Sequence, residues 1–160
     1  MKNILIVYYS WSGNTRKVAE KIHEITGGTI FEISPLADYP GEYNKVVNQP
    51  KAEIKEGFRP LLKSSPDNID AYDRIFTGSP NWWSTIAPPV ATFLSGYDFS
   101  GKIILPFCTH GGGGQGKIVN DIAKLCPDSL ISGCLEIYGN GPDPTTDISG
   151  WLNSNAKLLK

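Results

Sequence analysis

Apolar runs alternate with helical patterns along the whole chain. Residues 4–9 are apolar at successive positions, which is typical of a strand covered on both faces, as in a parallel sheet. In the next segment Val18, Ile22 and Ile25 recur at intervals of four and three, and charged residues fill the other sides. This spacing predicts an amphipathic helix, and the glycine pair at 27–28 provides its stop. The chain therefore opens with a strand, a turn and a helix.

The same alternation continues to the C-terminus. Further apolar runs predict four more strands, over Thr29 to Ile33, Arg74 to Ser79, Ile103 to Thr109 and, without interruption, Leu130 to Tyr138. Helical patterns lie over Pro89 to Ser95, Gly116 to Leu125 and Asp147 to Lys160, and a helix broken by Pro50 lies within Glu42 to Glu56. Strands separated by crossovers predict an α/β fold, a doubly wound five-stranded parallel sheet with helices on both faces. The pattern does not define the strand order.

Size and charge narrow the functional classes. The 160 residues predict a single domain over residues 1–160, large enough to bury a core without disulfides or metals. With 16 acidic and 15 basic residues, the chain has a formal net charge of −1 and lacks the excess positive charge with which proteins bind nucleic acids or anionic membranes. No segment approaches membrane-spanning length. Three cysteines without CxxC spacing argue against a disulfide framework or zinc site, which favours a reducing cytoplasm.

In a sheet of this type, ligands bind beyond the carboxyl ends of the strands, so the loops after the first, third and fourth strands are the candidates. The first loop is SWSGNT, residues 10–15. The N-terminus of a helix carries unpaired N–H groups and about half a positive charge, which together bind a phosphate. Ser10, Ser12, Thr15 and Asn14 add side-chain donors, and Gly13 allows the backbone to close round the anion. The alternative is that Ser12 or Asn14 merely caps the helix.

The second loop, residues 80–89, carries two adjacent tryptophans, Trp82 and Trp83. Two neighbouring indoles in an irregular segment cannot both enter one core, so we expect at least one at the surface or in a cleft. Stacking of an indole on a flat conjugated ligand contributes about 1–3 kcal/mol, by analogy with base stacking. The alternative is that one indole covers the end of the sheet and the other is an isolated exposed residue.

The third loop, residues 109–116, contains four consecutive glycines. Such a run exposes a row of N–H donors and lets a flat ring or another backbone approach closely. The segment also matches most of a nucleotide triphosphate loop, but Ile118 occupies the position of the magnesium-binding Ser or Thr. That substitution argues against a triphosphate site.

Together these loops resemble the flavodoxin family, in particular its short bacterial members. The resemblance rests on SWSGNT, YDRIFTGSPNWWSTIAPPV and ILPFCTHGGGGQG, and spans Lys2 to Leu159. It implies a sheet in the order 2-1-3-4-5 and a non-covalently bound flavin mononucleotide, FMN, with no metal and no catalytic residue of the chain's own. The cofactor-binding residues that it implies are Ser10, Trp11 (through its backbone), Ser12, Gly13, Asn14, Thr15, Pro80, Asn81, Trp82, Trp83, Thr109, His110, Gly111 and Gly112.

The function implied is that of a redox carrier working between a reductase and an acceptor protein, rather than a self-sufficient enzyme. Two alternatives remain: an FMN-dependent NAD(P)H:quinone reductase, and a non-redox module that binds another nucleotide. None of the three loops contains Asp or Glu, whereas His110 and Lys117 are expected to bring positive charge near the ring. We therefore expect a higher reduction potential than that of a strongly acidic flavodoxin.

Overall fold

The computed structural model describes residues 3–160, except for the side chains of residues 43–47. Its strands are β1 (Ile4–Tyr8), β2 (Thr29–Glu32), β3 (Arg74–Pro80), β4 (Ile103–His110), β5 (Leu130–Ile131) and β6 (Leu135–Tyr138). They form one parallel sheet in the order β2-β1-β3-β4-β5, and β6 also pairs with β4. The predicted order 2-1-3-4-5 is confirmed.

Helices cover both faces of the sheet. They are α1 (Asn14–Thr26), α2 (Tyr43–Glu56), α3 (Pro88–Ser95), α4 (Ile118–Leu125), α5 (Thr145–Ser154) and α6 (Ala156–Leu159), with a 3-10 turn at Ile69–Ala71. Successive strand residues point to opposite faces, so an unbroken apolar run supplies two cores. Ile6 packs with Val18 of α1 and Ile148 of α5 on one face. Leu5 and Ile122 of α4 belong to the core on the other.

The fifth strand is not continuous, so the predicted run from Leu130 to Tyr138 is wrong. Ile104 pairs with Ile131, but Phe107 pairs with Leu135, which places one extra residue on the outer strand. The result is a bulge that separates β5 from β6. Within the bulge, the Gly133 carbonyl accepts a hydrogen bond from the Trp151 indole at 3.1 Å and takes no part in the ladder.

The helix that was predicted to break at Pro50 is continuous in the structure. In the structure α2 runs through Pro50 and ends at Gly57, whose φ of 69° is left-handed. Proline removes one intrahelical hydrogen bond at a cost of about 3 kcal/mol, but its fixed φ is helical, so it need not end a helix. The interruption expected from the sequence is therefore absent from the described backbone.

The last two predicted helices have different bounds. Gly116 has a φ of 55°, so α4 begins two residues later than predicted. The C-terminal segment, predicted as one helix, divides at Asn155, whose side-chain amide donates to the Trp151 carbonyl at 2.8 Å. This bond competes with the helical pattern of the backbone.

Candidate functional site

A cleft of about 410 Å³ lies at the carboxyl edge of the sheet, where the strand order reverses between β1 and β3. All three predicted loops contribute to it. Most of the predicted residues line it: Trp11, Ser12, Asn14, Pro80, Asn81, Trp82, Trp83, Thr109, His110 and Gly111. The other four predicted residues do not line it: Ser10, Gly13, Thr15 and Gly112. The fold thus brings together side chains from loops that are far apart in the sequence.

In the first loop, the capping role belongs to Ser10. Its hydroxyl oxygen accepts hydrogen bonds from the backbone N–H of Gly13 at 3.1 Å and of Arg16 at 3.2 Å. Ser12 and Asn14, the residues considered for capping from the sequence, make no such bond, and the cap position itself is Gly13. Their side chains are therefore not used to cap α1.

The start of α1 keeps free donors. Within the described part of the chain, the backbone N–H groups of Ser12, Asn14 and Thr15 have no hydrogen-bond partner. Gly13 has a φ of 97°, which turns the loop back over the helix N-terminus. Unpaired amides and the helix dipole make this end of the cleft attractive to an anion such as a phosphate ester.

The Thr15 side chain has a different role from a ligand donor. It is buried, and its hydroxyl is bonded to that of Thr109 at the end of β4. The indole N–H of Trp11 likewise points away from the cleft and donates to the Pro40 carbonyl at 3.0 Å. Thr15 and Trp11 therefore fasten the first loop to its surroundings.

The two tryptophans of the second loop occupy different environments. Trp82 packs edge-on against Tyr9 and Tyr39, with ring centroids 5.5 and 5.1 Å away, and these three rings form an aromatic cluster. Trp83 is 46% exposed, which confirms that one indole lies at the surface. Trp83 and Ser84 have φ values of 54° and 67°. They form a tight turn closed by two backbone hydrogen bonds between Trp82 and Thr85, at 3.0 and 3.1 Å.

The third loop is held by the second. The side-chain amide of Asn81 donates to the Gly114 carbonyl at 2.6 Å, and the Lys117 N–H donates to the Ser84 carbonyl at 2.6 Å. A Cβ on Gly116 would lie 2.7 Å from the Ser84 carbonyl oxygen, so only glycine allows this approach. Gly116, two residues beyond the run of four glycines, therefore lets the second and third loops pack together.

His110 is at the tip of β4, facing the cleft. Its Nδ1 accepts a hydrogen bond from the Gly112 N–H at 3.0 Å, and its ring lies against Tyr138, with centroids 5.9 Å apart. With Nδ1 as acceptor, a neutral His110 carries its proton on Nε2. Gly112 itself has a φ of 129°, a conformation that other residues rarely adopt.

Two carboxylates reach these loops from outside them, and the sequence did not reveal them. Glu136 of β6 accepts a hydrogen bond from the Gln115 N–H at 2.9 Å, and Asp121 of α4 accepts one from the Thr85 hydroxyl. The sequence also predicts that Lys117 brings positive charge near the ring. Its side chain is exposed and does not line the cleft, and its backbone N–H is bound to the second loop. His110 does line it.

A charged network lies behind the first loop. Arg16 makes a two-point ion pair with Glu32, at 2.8 and 2.7 Å, and the Tyr8 hydroxyl donates to Glu32 at 2.7 Å. The Arg16 guanidinium lowers the pKa of Glu32, despite the opposing effect of burial. Burial and the hydrogen bond to Glu32 raise the pKa of Tyr8. The pair joins the first turn of α1 to the end of β2.

Sequence reasoning also missed the turn after β6. Gly139 and Asn140 line the cleft, and the Gly139 N–H donates to the His110 carbonyl at 2.9 Å. The side-chain amide nitrogen of Asn14 lies 2.6 Å from the position that a Cβ at residue 139 would take, so the turn after β6 packs closely against the first loop. The sequence signal was the Gly-Asn-Gly turn that follows the fifth strand.

Two other kinds of site concern metal ions and membranes. No group of three or more His, Cys, Asp or Glu residues is placed to hold a metal ion among the described residues. Over residues 3–160, none of the helices combines the length and the apolar character needed to cross a membrane.

Comparisons with known proteins agree with the geometry. A sequence comparison with curated proteins found no match. Among solved structures, a protein of Bacteroides eggerthii assigned as a flavoprotein has 31% identity and a TM-score of 0.85, over 98% of this chain and 99% of that one. A similarly assigned Bacteroides uniformis protein has 25% identity and a TM-score of 0.81, over 95% and 98%.

A third structure was solved with a ligand. The flavoprotein of Lactobacillus acidophilus, in complex with FMN, has 26% identity and a TM-score of 0.74, and the match covers 94% of this chain and 99% of that one. The family model described as flavodoxin matches residues 3–155. This match extends over nearly the entire sequence, from β1 through α5, and on that basis the chain belongs to the flavodoxin family.

Proposed function

We propose that the protein binds FMN non-covalently and carries electrons between a reductase and an acceptor protein. The observation that carries the proposal is that the backbone N–H groups of Ser12, Asn14 and Thr15 have no partner among the described residues, in a loop that lines the cleft together with two indoles of the second loop. A phosphate and a flat ring are the two ends of FMN. The FMN complex of the Lactobacillus acidophilus relative supports the same ligand.

The residues present fit this cofactor. The free amides and the helix dipole suit a dianionic phosphate, and the Trp82 and Trp83 loop suits the ring. The cleft of about 410 Å³ is within the usual range of ligand sites, about 300–1,000 Å³. Bound FMN would supply the electron-transfer chemistry, since it accepts one or two electrons. The chain's residues orient it, cover part of it and set the charge around it.

The carrier role requires partner proteins. The formal net charge of −1 gives no strong overall steering field, so recognition of a reductase and an acceptor would depend on local surface around the cleft. The exposed edge formed by Trp83 and the glycines of the third loop is where a partner would approach most closely.

One observation favours a second candidate, an NAD(P)H:quinone reductase. No heavy atom lies within 4 Å of the position a Cβ would take at Gly111 or Gly112, so the third loop leaves open space beside the cleft. A small substrate would have room to approach there. In that reaction NAD(P)H gives up a hydride, and the quinone gains two electrons and two protons, one of them from solvent.

The test has two steps. Purified protein reconstituted with FMN is first examined for a bound-flavin visible spectrum after removal of free cofactor. The holoprotein is then mixed with NAD(P)H and a quinone, with and without an added flavodoxin reductase. The proposal predicts a yellow protein that oxidises NAD(P)H only when the reductase is present. Rapid turnover without a reductase would favour the second candidate, and a colourless protein would contradict both.

A further inference from the structure

Helix α2 brings a lysine onto the exposed indole of the second loop. The Lys51 Nζ lies 4.8 Å from the centroid of the Trp83 ring, within the distance at which a cation is attracted to an aromatic face. Lys51 does not line the cleft, whereas Trp83 does. The ammonium group therefore contacts Trp83 from outside the cleft.

The backbone beneath Trp83 is firmly held, while its ring is exposed. Trp83 occupies a left-handed turn closed by hydrogen bonds between Trp82 and Thr85, and the Ser84 carbonyl is bound by the Lys117 N–H. A non-glycine residue in this conformation is strained, and such strain clusters at functional sites. The turn displays the indole at the cleft mouth, and Lys51 covers one of its faces.

In the part of the chain that the structure describes, no ion pair joins Lys51 to a carboxylate. Glu53, two residues along, is engaged elsewhere, because it accepts hydrogen bonds from Tyr39 at 2.5 Å and Gln49 at 3.0 Å. The same short segment of α2 thus holds the aromatic cluster through Glu53 and the exposed indole through Lys51.

We propose that Lys51 is a positioning residue that fixes the Trp83 ring against the flavin and raises the reduction potential of the bound cofactor. The proposal rests on the proposed binding of FMN. A positive charge on the far side of the indole favours the reduced, more negative flavin over the oxidised one. Lys51 thereby supplies the positive charge near the ring that the sequence analysis expected from Lys117.

The test compares the affinities of wild type and three variants for oxidised and reduced FMN. Lys51→Gln removes the charge, Lys51→Arg keeps both charge and ring contact, and Lys55→Gln is the matched control. Lys55 is exposed one turn further along α2. The ratio of the dissociation constants of reduced and oxidised FMN measures the change in potential directly, and a merely structural role would change both constants equally.

Lys51→Gln is expected to raise that ratio about three- to tenfold, by weakening the binding of reduced FMN more than that of oxidised FMN. Lys51→Arg and Lys55→Gln should stay within about twofold of wild type. The effect of Lys51→Gln should shrink at high ionic strength, because the lysine is exposed.

Equal ratios in Lys51→Gln, Lys55→Gln and wild type would overturn this proposal and leave FMN binding intact. Equal rises in both glutamine variants would overturn it too, because they would reflect overall charge and not the Trp83 contact. A wild-type chain that binds neither form of FMN would contradict the proposed function, and this proposal with it.

Discussion

The hydroxyl oxygens of Thr15 and Thr109 lie 2.8 Å apart in the protein interior and join the first turn of α1 to the end of β4. The residues are 94 positions apart in the sequence. Their bond ties the loop with the free amides to the loop that carries His110. The Thr15–Thr109 hydrogen bond thus fixes the position of the first loop relative to the third loop.

Thr109→Val is expected to destabilise the protein by about 1–2 kcal/mol, because it leaves the buried Thr15 hydroxyl without its partner. Thr15→Val should cost a similar amount. The double variant should cost clearly less than the two single changes together, since both polar groups are then removed. Urea unfolding of the cofactor-free protein measures all three. Strictly additive costs would show that the two hydroxyls do not interact.

Gly13→Ala tests the left-handed turn of the first loop. No heavy atom lies closer than 4.0 Å to the new Cβ, so the expected cost of about 1–2 kcal/mol comes from the φ of 97° alone. Gly111→Ala is the matched control. Its φ is not left-handed and its Cβ position is open, so the change should remain within about 0.5 kcal/mol. Thermal unfolding of both variants distinguishes them, and a neutral Gly13→Ala would contradict the observed turn.

The pH dependence of stability tests the ion pair behind the first loop. Because Arg16 lowers the folded-state pKa of Glu32, ionised Glu32 stabilises the folded protein at neutral pH. This contribution should begin to disappear as the pH falls below about 4.5, the ordinary glutamate value, and should vanish below the lowered folded-state pKa. Urea unfolding of wild type and Glu32→Gln across this range measures it.

The stability difference between wild type and Glu32→Gln should therefore be largest at neutral pH and shrink in acid. A difference that stays constant with pH would mean that the carboxylate charge of Glu32 does not contribute.

The cysteines should be unreactive in the folded protein. Burial raises the pKa of Cys126 to about 11, and contact with Cys108 together with burial raises that of Cys134. Because the thiolate is the reactive form, a thiol reagent at mildly alkaline pH should label the native protein slowly. All three cysteines should react at once after unfolding in urea. Rapid native labelling of Cys126 would contradict its buried environment.

Much of this arrangement was predictable because the signals are local. The apolar run at Ile4–Tyr8 and the spacing of Val18 and Ile22 report strand and helix directly, since each reflects burial of one element. The exposed Trp83 followed from the impossibility of burying two adjacent indoles. Parallel strands end at one sheet edge, so the three loops had to converge there.

What escaped prediction depends on contacts between distant segments. The bulge between β5 and β6 is defined by register against β4, and an apolar run does not encode register. Glu136 reaches the third loop only because β6 lies beside β4. Lys51 belongs to a proline-rich connection whose helix the pattern predicted as broken at Pro50. Its contact with Trp83 arises from tertiary packing, which the spacing of residues along the sequence does not indicate.

We propose that the free amides at the start of α1 hold a phosphate while the flavin ring lies against the indoles. Titration of the cofactor-free protein with FMN and with riboflavin, followed by quenching of flavin fluorescence, tests it most directly. Each hydrogen bond to a charged phosphate contributes about 1.5–3 kcal/mol, so riboflavin should bind at least about tenfold more weakly than FMN, which should bind one to one. Equal affinity for the two flavins, or no binding of FMN, would contradict the account.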